Sequence, residues 1–296
     1  MQYDWQLRTR TLPLGRRTLI MGILNVTPDS FSDGGLHYSP EHSADRALAH
    51  ALLMLDEGAD LLDLGGESTR PNSTPLTPAE EQARILPVIS AILAERPQTI
   101  LSIDTYHAAT ARLAIQAGAE IVNDVSGGLW DENMLPTCAE LNCGTILMHT
   151  RGRPHEWPTL PPLAPSEVMP LILTELEARL KAATVAGIPH EKIVLDPGLG
   201  FGKIGDANYV LLAHLAELHT LNQPILIGAS RKRFLRTHVH PTTNPGAPGP
   251  ASGTWVPATT AANVAAILAG ANILRVHDVR PAVEAAAVTD RIRDAD

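Results

Sequence analysis

The polar residues of this 296-residue chain recur at one kind of place, the end of a short apolar run. Asn25 closes the first run, and the second supplies Asp63 followed by Gly65-Gly66-Glu67-Ser68-Thr69-Arg70. Asp104, then Asn123 with Asp124, His149, Asp196, Ser230-Arg231-Lys232, and Arg275 with His277 follow in turn. Arg70, Lys232, Arg275 and His277 are cations in an otherwise acidic chain, and they suit an anionic ligand such as a phosphate or diphosphate. Asp104, Asn123 and Asp196 supply acceptors and an amide fork, which suit a flat heterocycle carrying N–H donors and ring acceptors. A ligand with both parts would satisfy the set. A single aspartate at a strand end is more often a cap or a salt-bridge partner, but polar residues at every such end are hard to explain that way. His149, with Arg151 close by, reads as a core or loop-pinning histidine and is assigned no chemistry.

The elements that must hold these residues alternate between short buried-strand patterns and Ala/Leu-rich helical ones. The strand patterns cover 19–24, 61–64, 99–103, 120–123, 145–148, 193–195, 224–227 and 273–276. Helical patterns follow each, over 41–57, 78–95, 106–117, 132–141, 166–186, 206–221, 258–269 and 280–293. Leu173, Leu176 and Leu180 mark one helical face, and Gly58, Gly118, Gly187 and Gly270 stand where helices end. Strands that are apolar almost throughout, each followed by a helix, predict an α/β fold, a single (β/α)8 TIM barrel over residues 1–296. A doubly wound open sheet is the rival, and it normally uses about five or six strands. In a barrel the chemistry sits at the carboxyl ends of the strands, where the polar residues stand. Ahead of the barrel, residues 1–18 carry four arginines and no apolar core of a secretory signal. Leu12-Pro13-Leu14-Gly15, set between two short alternating runs, predicts an N-terminal hairpin that would plug the barrel floor.

Composition excludes several classes. A net charge of −9 and an isoelectric point near 5.7 argue against nucleic-acid binding, for want of a basic run to neutralise phosphates. No apolar stretch is long enough for a membrane span, and the expectation is an acidic cytoplasmic enzyme. Cys138 and Cys143 are too few for a disulfide framework and read as structural. Gly198-Leu199-Gly200-Phe201-Gly202-Lys203 lacks the spacing and the Ser/Thr of a phosphate loop, so it reads as a tight turn that lets backbone or Phe201 approach a ligand. No G-x-S-x-G elbow occurs. The segments 71–78, 153–165 and 238–257 are proline-rich, and the last is an insertion given no function. The link after Asn25, running through Thr27-Pro28-Asp29-Ser30-Phe31 to Gly35, exceeds the usual two to about six residues and is a candidate functional loop.

Taken together, the segments resemble the dihydropteroate synthase family of the pterin-binding barrels. They are MGILNVTPDSFSDGG from Met21, DLGGESTRP from Asp63, SIDT from Ser102, IVNDVSGG from Ile121, LMHTRG from Leu147, LDPGLGFGK from Leu195, GASRKRFL from Gly228 and RVHDVR from Arg275. The resemblance implies condensation of 6-hydroxymethyl-7,8-dihydropterin diphosphate with 4-aminobenzoate, giving 7,8-dihydropteroate and pyrophosphate in folate synthesis. It implies Mg2+ as cofactor with Asn25 as its ligand, and a pterin site of Asp104, Asn123, Asp196, Lys232 and Phe201. Thr69, Arg70, Arg275 and His277 would hold the diphosphate, and Phe31, Pro71, Lys232 and Arg233 would line the aminobenzoate pocket. Asp104, Lys232, Arg275 and His277 would carry the catalysis. Some relatives have serine where Arg233 stands, so the benzoate carboxylate is held either by Arg233 or by the backbone of that turn. A homodimer is implied, for which the Ala-rich helix 258–269 would supply a packing face if it is not spent on the core. A corrinoid methyltransferase of the same barrel type, or a non-catalytic pterin-binding paralogue, is the alternative expectation.

Overall fold

The computed structural model of the chain describes residues 1–27, 40–67, 75–235 and 255–295. Two strands, β1 (Tyr3–Gln6) and β2 (Thr11–Leu14), form an antiparallel hairpin. The barrel strands are then β3 (Leu19–Asn25), β4 (Leu61–Gly65), β5 (Leu101–Asp104), β6 (Ile121–Asp124), β7 (Gly144–Met148), β8 (Ile193–Asp196), β9 (Leu226–Ile227) and β10 (Ile273–Val276). The helices are α1 (Pro40–Asp56), α2 (Pro78–Glu95), α3 (Ala108–Gln116), α4 (Met134–Leu141), α5 (Pro165–Val185), α6 (Ala207–Ala213), α7 (Val256–Leu268) and α8 (Val279–Arg293). All eight strands after the hairpin pair in parallel in the order β8-β7-β6-β5-β4-β3-β10-β9. A parallel bridge between Leu195 and Ile225, with Leu195 N–H donating to the Pro224 carbonyl at 2.9 Å, closes the ring between β8 and β9.

Side-chain alternation divides each strand between two cores. Leu62, Leu64, Leu101, Ile103, Val122, Leu147, Leu195 and Leu274 pack outward against the helices. Leu19, Met21, Leu61, Ile100, Ile121, Ile146, Val194, Leu226 and Ile273 fill the lower lumen. The same parity carried toward the carboxyl ends places Asp63, Ser102, Asp104, Asn123, Asp196 and Arg275 on the lumen side. The barrel thus has an apolar floor and a polar mouth.

The hairpin seals that floor, as expected, but turns elsewhere. Its turn spans 7–10, with Leu7 N–H donating to the Arg10 carbonyl, and Pro13 lies inside β2 opposite Asp4. A two-stranded ribbon has only edge strands, which tolerate proline, and the turn at 7–10 lets Trp5, Leu7 and Leu14 all enter the floor. Trp5 is 1% exposed, and its Nε1 donates to the Lys192 carbonyl at 2.9 Å. The expected helix 206–221 also divides, into α6 and a 3-10 turn over Leu215–Leu221. The three-residue repeat of that turn keeps Leu215 and Leu218 buried together.

Elsewhere the helix signals behave as their chemistry predicts. α2 starts with a capping box in which Thr77 Oγ1 accepts from Glu80 N–H at 3.3 Å and Glu80 Oε2 accepts from Thr77 N–H at 2.8 Å. It buries Ile85, Val88, Ile89 and Ile92 on one face. Among the described residues no helix is long and apolar enough to cross a membrane.

Candidate functional site

β3 pairs with β4 on one side and β10 on the other, so lumenal residues of β4 and β10 can reach each other across it. Arg275 uses this geometry. Its Nε donates to Asp63 Oδ2 at 2.5 Å and its Nη2 to Asp104 Oδ2 at 2.6 Å. Asn123 Nδ2 donates to the same Asp63 oxygen at 2.9 Å, which fixes the orientation of its amide. One guanidinium therefore ties three strands together and presents a cation at the mouth. Asp63 is fully buried, and its Oδ1 meets no hydrogen-bond partner.

The titration behaviour follows from this crowding. Burial pushes the Asp104 carboxyl up to about 7, against the pull of Arg275 and with added repulsion from Asp63. Burial pulls Lys232 down to about 8, with Asp196 opposing and Arg275 reinforcing the fall. Asp196 is raised, first by burial, while the Gly198 N–H and Lys232 act to lower it. Burial works against the Arg275 charge too, but Asp63 and Asp104 outweigh it and its pKa rises. Lys232 and Arg275 each act on both Asp104 and Asp196, which puts the four charges in one cluster.

Asp196 is held from behind. Its Oδ1 accepts from Gly198 N–H at 2.7 Å, and its backbone carbonyl accepts from His149 N–H at 2.9 Å. Phe201, in the turn that follows, lies under Lys232, with Nζ 3.9 Å from the ring centroid, and Trp157 meets the same ring edge-on. His149 is buried, with its Nε2 3.0 Å from Glu175 Oε2, in keeping with a loop-pinning role. Burial and Lys203 lower its pKa to about 4.

At the end of β10, His277 N–H donates to Ser230 Oγ at 3.1 Å, and Nδ1 lies at the same distance. The 230–232 turn is further clamped by Arg231, which has φ +57°. Arg231 donates to Asp278 through Nε at 3.1 Å and Nη2 at 2.6 Å. Arg233 is exposed, and residues 233–235 are helical. Asn25 ends β3, paired with Gly65, and offers an amide oxygen at the rim. Among the described residues no three His, Cys, Asp or Glu side chains form a metal cage. A divalent ion beside Asn25 would take one hard oxygen from the chain and the others from ligand and water, a donor set that fits Mg2+.

The structure thus brings together Asp104, Asn123, Asp196, Lys232, Phe201 and Arg275, with His277 and Asn25 at their strand ends. Phe31, Thr69, Arg70 and Pro71 lie outside the described residues, as do Ser68 and residues 238–254 of the proline-rich insertion. Sequence reasoning missed Asp63 as the anchor of Arg275. A lone carboxylate in the otherwise apolar strand Leu61–Gly65 was the signal. It also missed Glu67, which accepts from Tyr106 OH at 2.7 Å and lies 3.5 Å from His107 Nε2, pinning the stem of the loop after β4.

A family profile described as "Pterin binding enzyme" matches residues 21–277. The dihydropteroate synthase of Mycobacterium leprae is 43% identical over 270 residues, covering 90% of each chain. The mitochondrial folate synthesis bifunctional protein of Pisum sativum is 38% identical over 292 residues, 95% of this chain but 54% of that one. The chain therefore spans about half the length of that relative. Among solved structures, Xanthomonas albilineans dihydropteroate synthase with 4-aminobenzoic acid superposes with a TM-score of 0.87 at 38% identity, covering 99% of both chains.

Proposed function

The chain belongs to the pterin-binding enzyme family, among its dihydropteroate synthases, and from that premise we propose that it joins 6-hydroxymethyl-7,8-dihydropterin diphosphate to 4-aminobenzoate in folate synthesis. The observation that carries the reading is the mouth itself. Asp104 and Asp196 offer carboxylates and Asn123 an amide around the lumen, while Arg275 and Lys232 supply positive charge beside them.

The Asp196 carboxylate accepts paired N–H bonds from the pterin 2-amino group and N3, as a carboxylate does from a guanidinium. Arg275 and His277 grip the diphosphate. When the bond between the methylene carbon and the diphosphate oxygen breaks, the electron pair leaves with pyrophosphate and the methylene becomes a cation conjugated with the ring. Asp104, once ionised, stabilises that cation, and Arg275 the departing anion. The aniline nitrogen then forms the carbon–nitrogen bond and gives up its proton. Asn25 would hold Mg2+, which when bound would supply Lewis-acid neutralisation of the leaving group. Arg233 or the backbone of the turn from Ser230 holds the benzoate carboxylate. The assembly is a cytoplasmic homodimer, whose contact draws on Leu268 of α7 with Val288 and Ile292 of α8, all more than half exposed.

The reading is tested by incubating the purified protein with both substrates and Mg2+ and following 7,8-dihydropteroate by mass spectrometry. Product is expected, and its absence from folded protein refutes the assignment. Positional isotope exchange tests the order of steps: bridging-oxygen scrambling without 4-aminobenzoate is expected, and no scrambling argues for concerted displacement.

A further inference from the structure

Lys203 is a buried cation that the mechanism above does not use. It is 3% exposed, and its Nζ donates to the carbonyls of Gly198 at 2.8 Å, Phe201 at 3.3 Å and His149 at 3.4 Å. Three acceptors match the three protons of an ammonium. Burial pulls its pKa down to about 7, with Asp196 opposing the fall.

Those carbonyls belong to two loops that lie against each other without clearance. A Cβ on Gly198 would stand 1.9 Å from the His149 carbonyl oxygen, and one on Gly202 would stand 2.6 Å from the Arg151 carbonyl oxygen. Both glycines have positive φ, +67° and +68°, so the turn can be neither widened nor replaced by ordinary residues. Converging carbonyl dipoles repel unless a cation lies at their focus. The residues so gathered are the ones that set the site wall. Gly198 and His149 direct their N–H groups to Asp196, and Phe201 lies beneath Lys232. Asn208 braces the same turn from the far side, its Oδ1 accepting from Gly200 N–H at 2.6 Å and its Nδ2 donating to the Lys203 carbonyl at 2.9 Å.

We propose that Lys203 is a positioning residue for substrate recognition: by gathering the His149, Gly198 and Phe201 carbonyls it holds Asp196 and Phe201 in the arrangement that takes the pterin ring. The inference rests on the pterin reading of the mouth. A second buried lysine provides the contrast. Lys192 is 5% exposed, and its Nζ donates to the Leu7 and Asn142 carbonyls, both at 2.9 Å, on the barrel floor away from the site.

The experiment is calorimetric titration of 6-hydroxymethylpterin into the full-length wild type, Lys203→Met and Lys192→Met, each with its melting temperature and its KM for 4-aminobenzoate. Both variants lose one buried ammonium and are expected to melt lower. Lys203→Met is expected to bind the pterin at least about tenfold more weakly, while Lys192→Met stays within about twofold of wild type. Lys203→Met binding pterin as tightly as Lys192→Met overturns the inference and leaves Lys203 a stabilising residue only. If Lys203→Met does not fold, Asn208→Ala loosens the same turn and carries the test: selective loss of pterin affinity supports the inference, and unchanged affinity overturns it. A wild type that binds no pterin overturns the parent reading and this inference together, whereas failure in Lys203→Met alone concerns this inference only.

Discussion

Replacing Asp63 by asparagine probes the least visible part of the site. The carboxylate touches Arg275 and Asn123 but is fully buried, so the substitution acts through its neighbours. Asp63→Asn keeps the volume, and its amide oxygen still accepts from Arg275 and Asn123. It removes the charge from a buried charge-assisted hydrogen bond, a loss of about 1.5–3 kcal/mol. The new NH2 group falls at the Oδ1 position, which has no partner. If the loss is expressed wholly in how Arg275 holds the leaving group, kcat/KM falls by about 10- to 100-fold. A second consequence has a defined sign. Asp63 contributes to the rise of the Asp104 pKa and Arg275 opposes it, so without Asp63 the Asp104 carboxyl ionises at lower pH. The assay is the pH dependence of kcat/KM for the pterin diphosphate, alongside thermal melting. The expected result is a lower plateau with its acid limb moved to lower pH. A lower plateau with the acid limb unmoved, or moved to higher pH, refutes the electrostatic coupling described here.

Other predictions follow from the same geometry. On the proposed mechanism Asp104 has to ionise, above about 7, and Lys232 to stay protonated, below about 8. A narrow bell of kcat/KM against pH is therefore expected, its limbs belonging to the coupled pair, and Asp104→Asn removes the acid limb; a flat profile from pH 6 to about 9 contradicts this. At the opposite end of the barrel, Trp5→Ala empties the floor and orphans the Lys192 carbonyl, a loss of about 3–5 kcal/mol. Its melting temperature should drop by roughly 10 °C with pterin affinity unchanged, and an unaltered melting curve would show that the hairpin does not seal the core.

Much of this architecture was legible because its causes are local. Apolar runs ending in a polar residue, each followed by a helical pattern, announce a parallel barrel, and period-two alternation sends Asp104, Asn123, Asp196 and Arg275 to the lumen. What escaped depends on contacts between distant residues. The hairpin turn was misplaced because proline was read as a turn signal, whereas the demand of the floor for Trp5, Leu7 and Leu14 decided the register. The break between α6 and the 3-10 turn was invisible because leucines spaced by three or four fit either helix. Asp63 and Arg275 are 212 residues apart, and only the pairing of β3 with both β4 and β10 makes them neighbours. Lys203 looked like the end of a failed phosphate loop, because nothing in its own segment tells that the His149 carbonyl comes to meet it.

Pyrophosphate release by the purified protein is the most direct measure of the proposed reaction. Release is predicted only when the pterin diphosphate, 4-aminobenzoate and Mg2+ are all present, and it should fall sharply in Asp196→Ala, which removes the carboxylate proposed to take the ring. A folded wild type that releases no pyrophosphate under those conditions, or an Asp196→Ala variant that releases it as fast as wild type, would contradict the account.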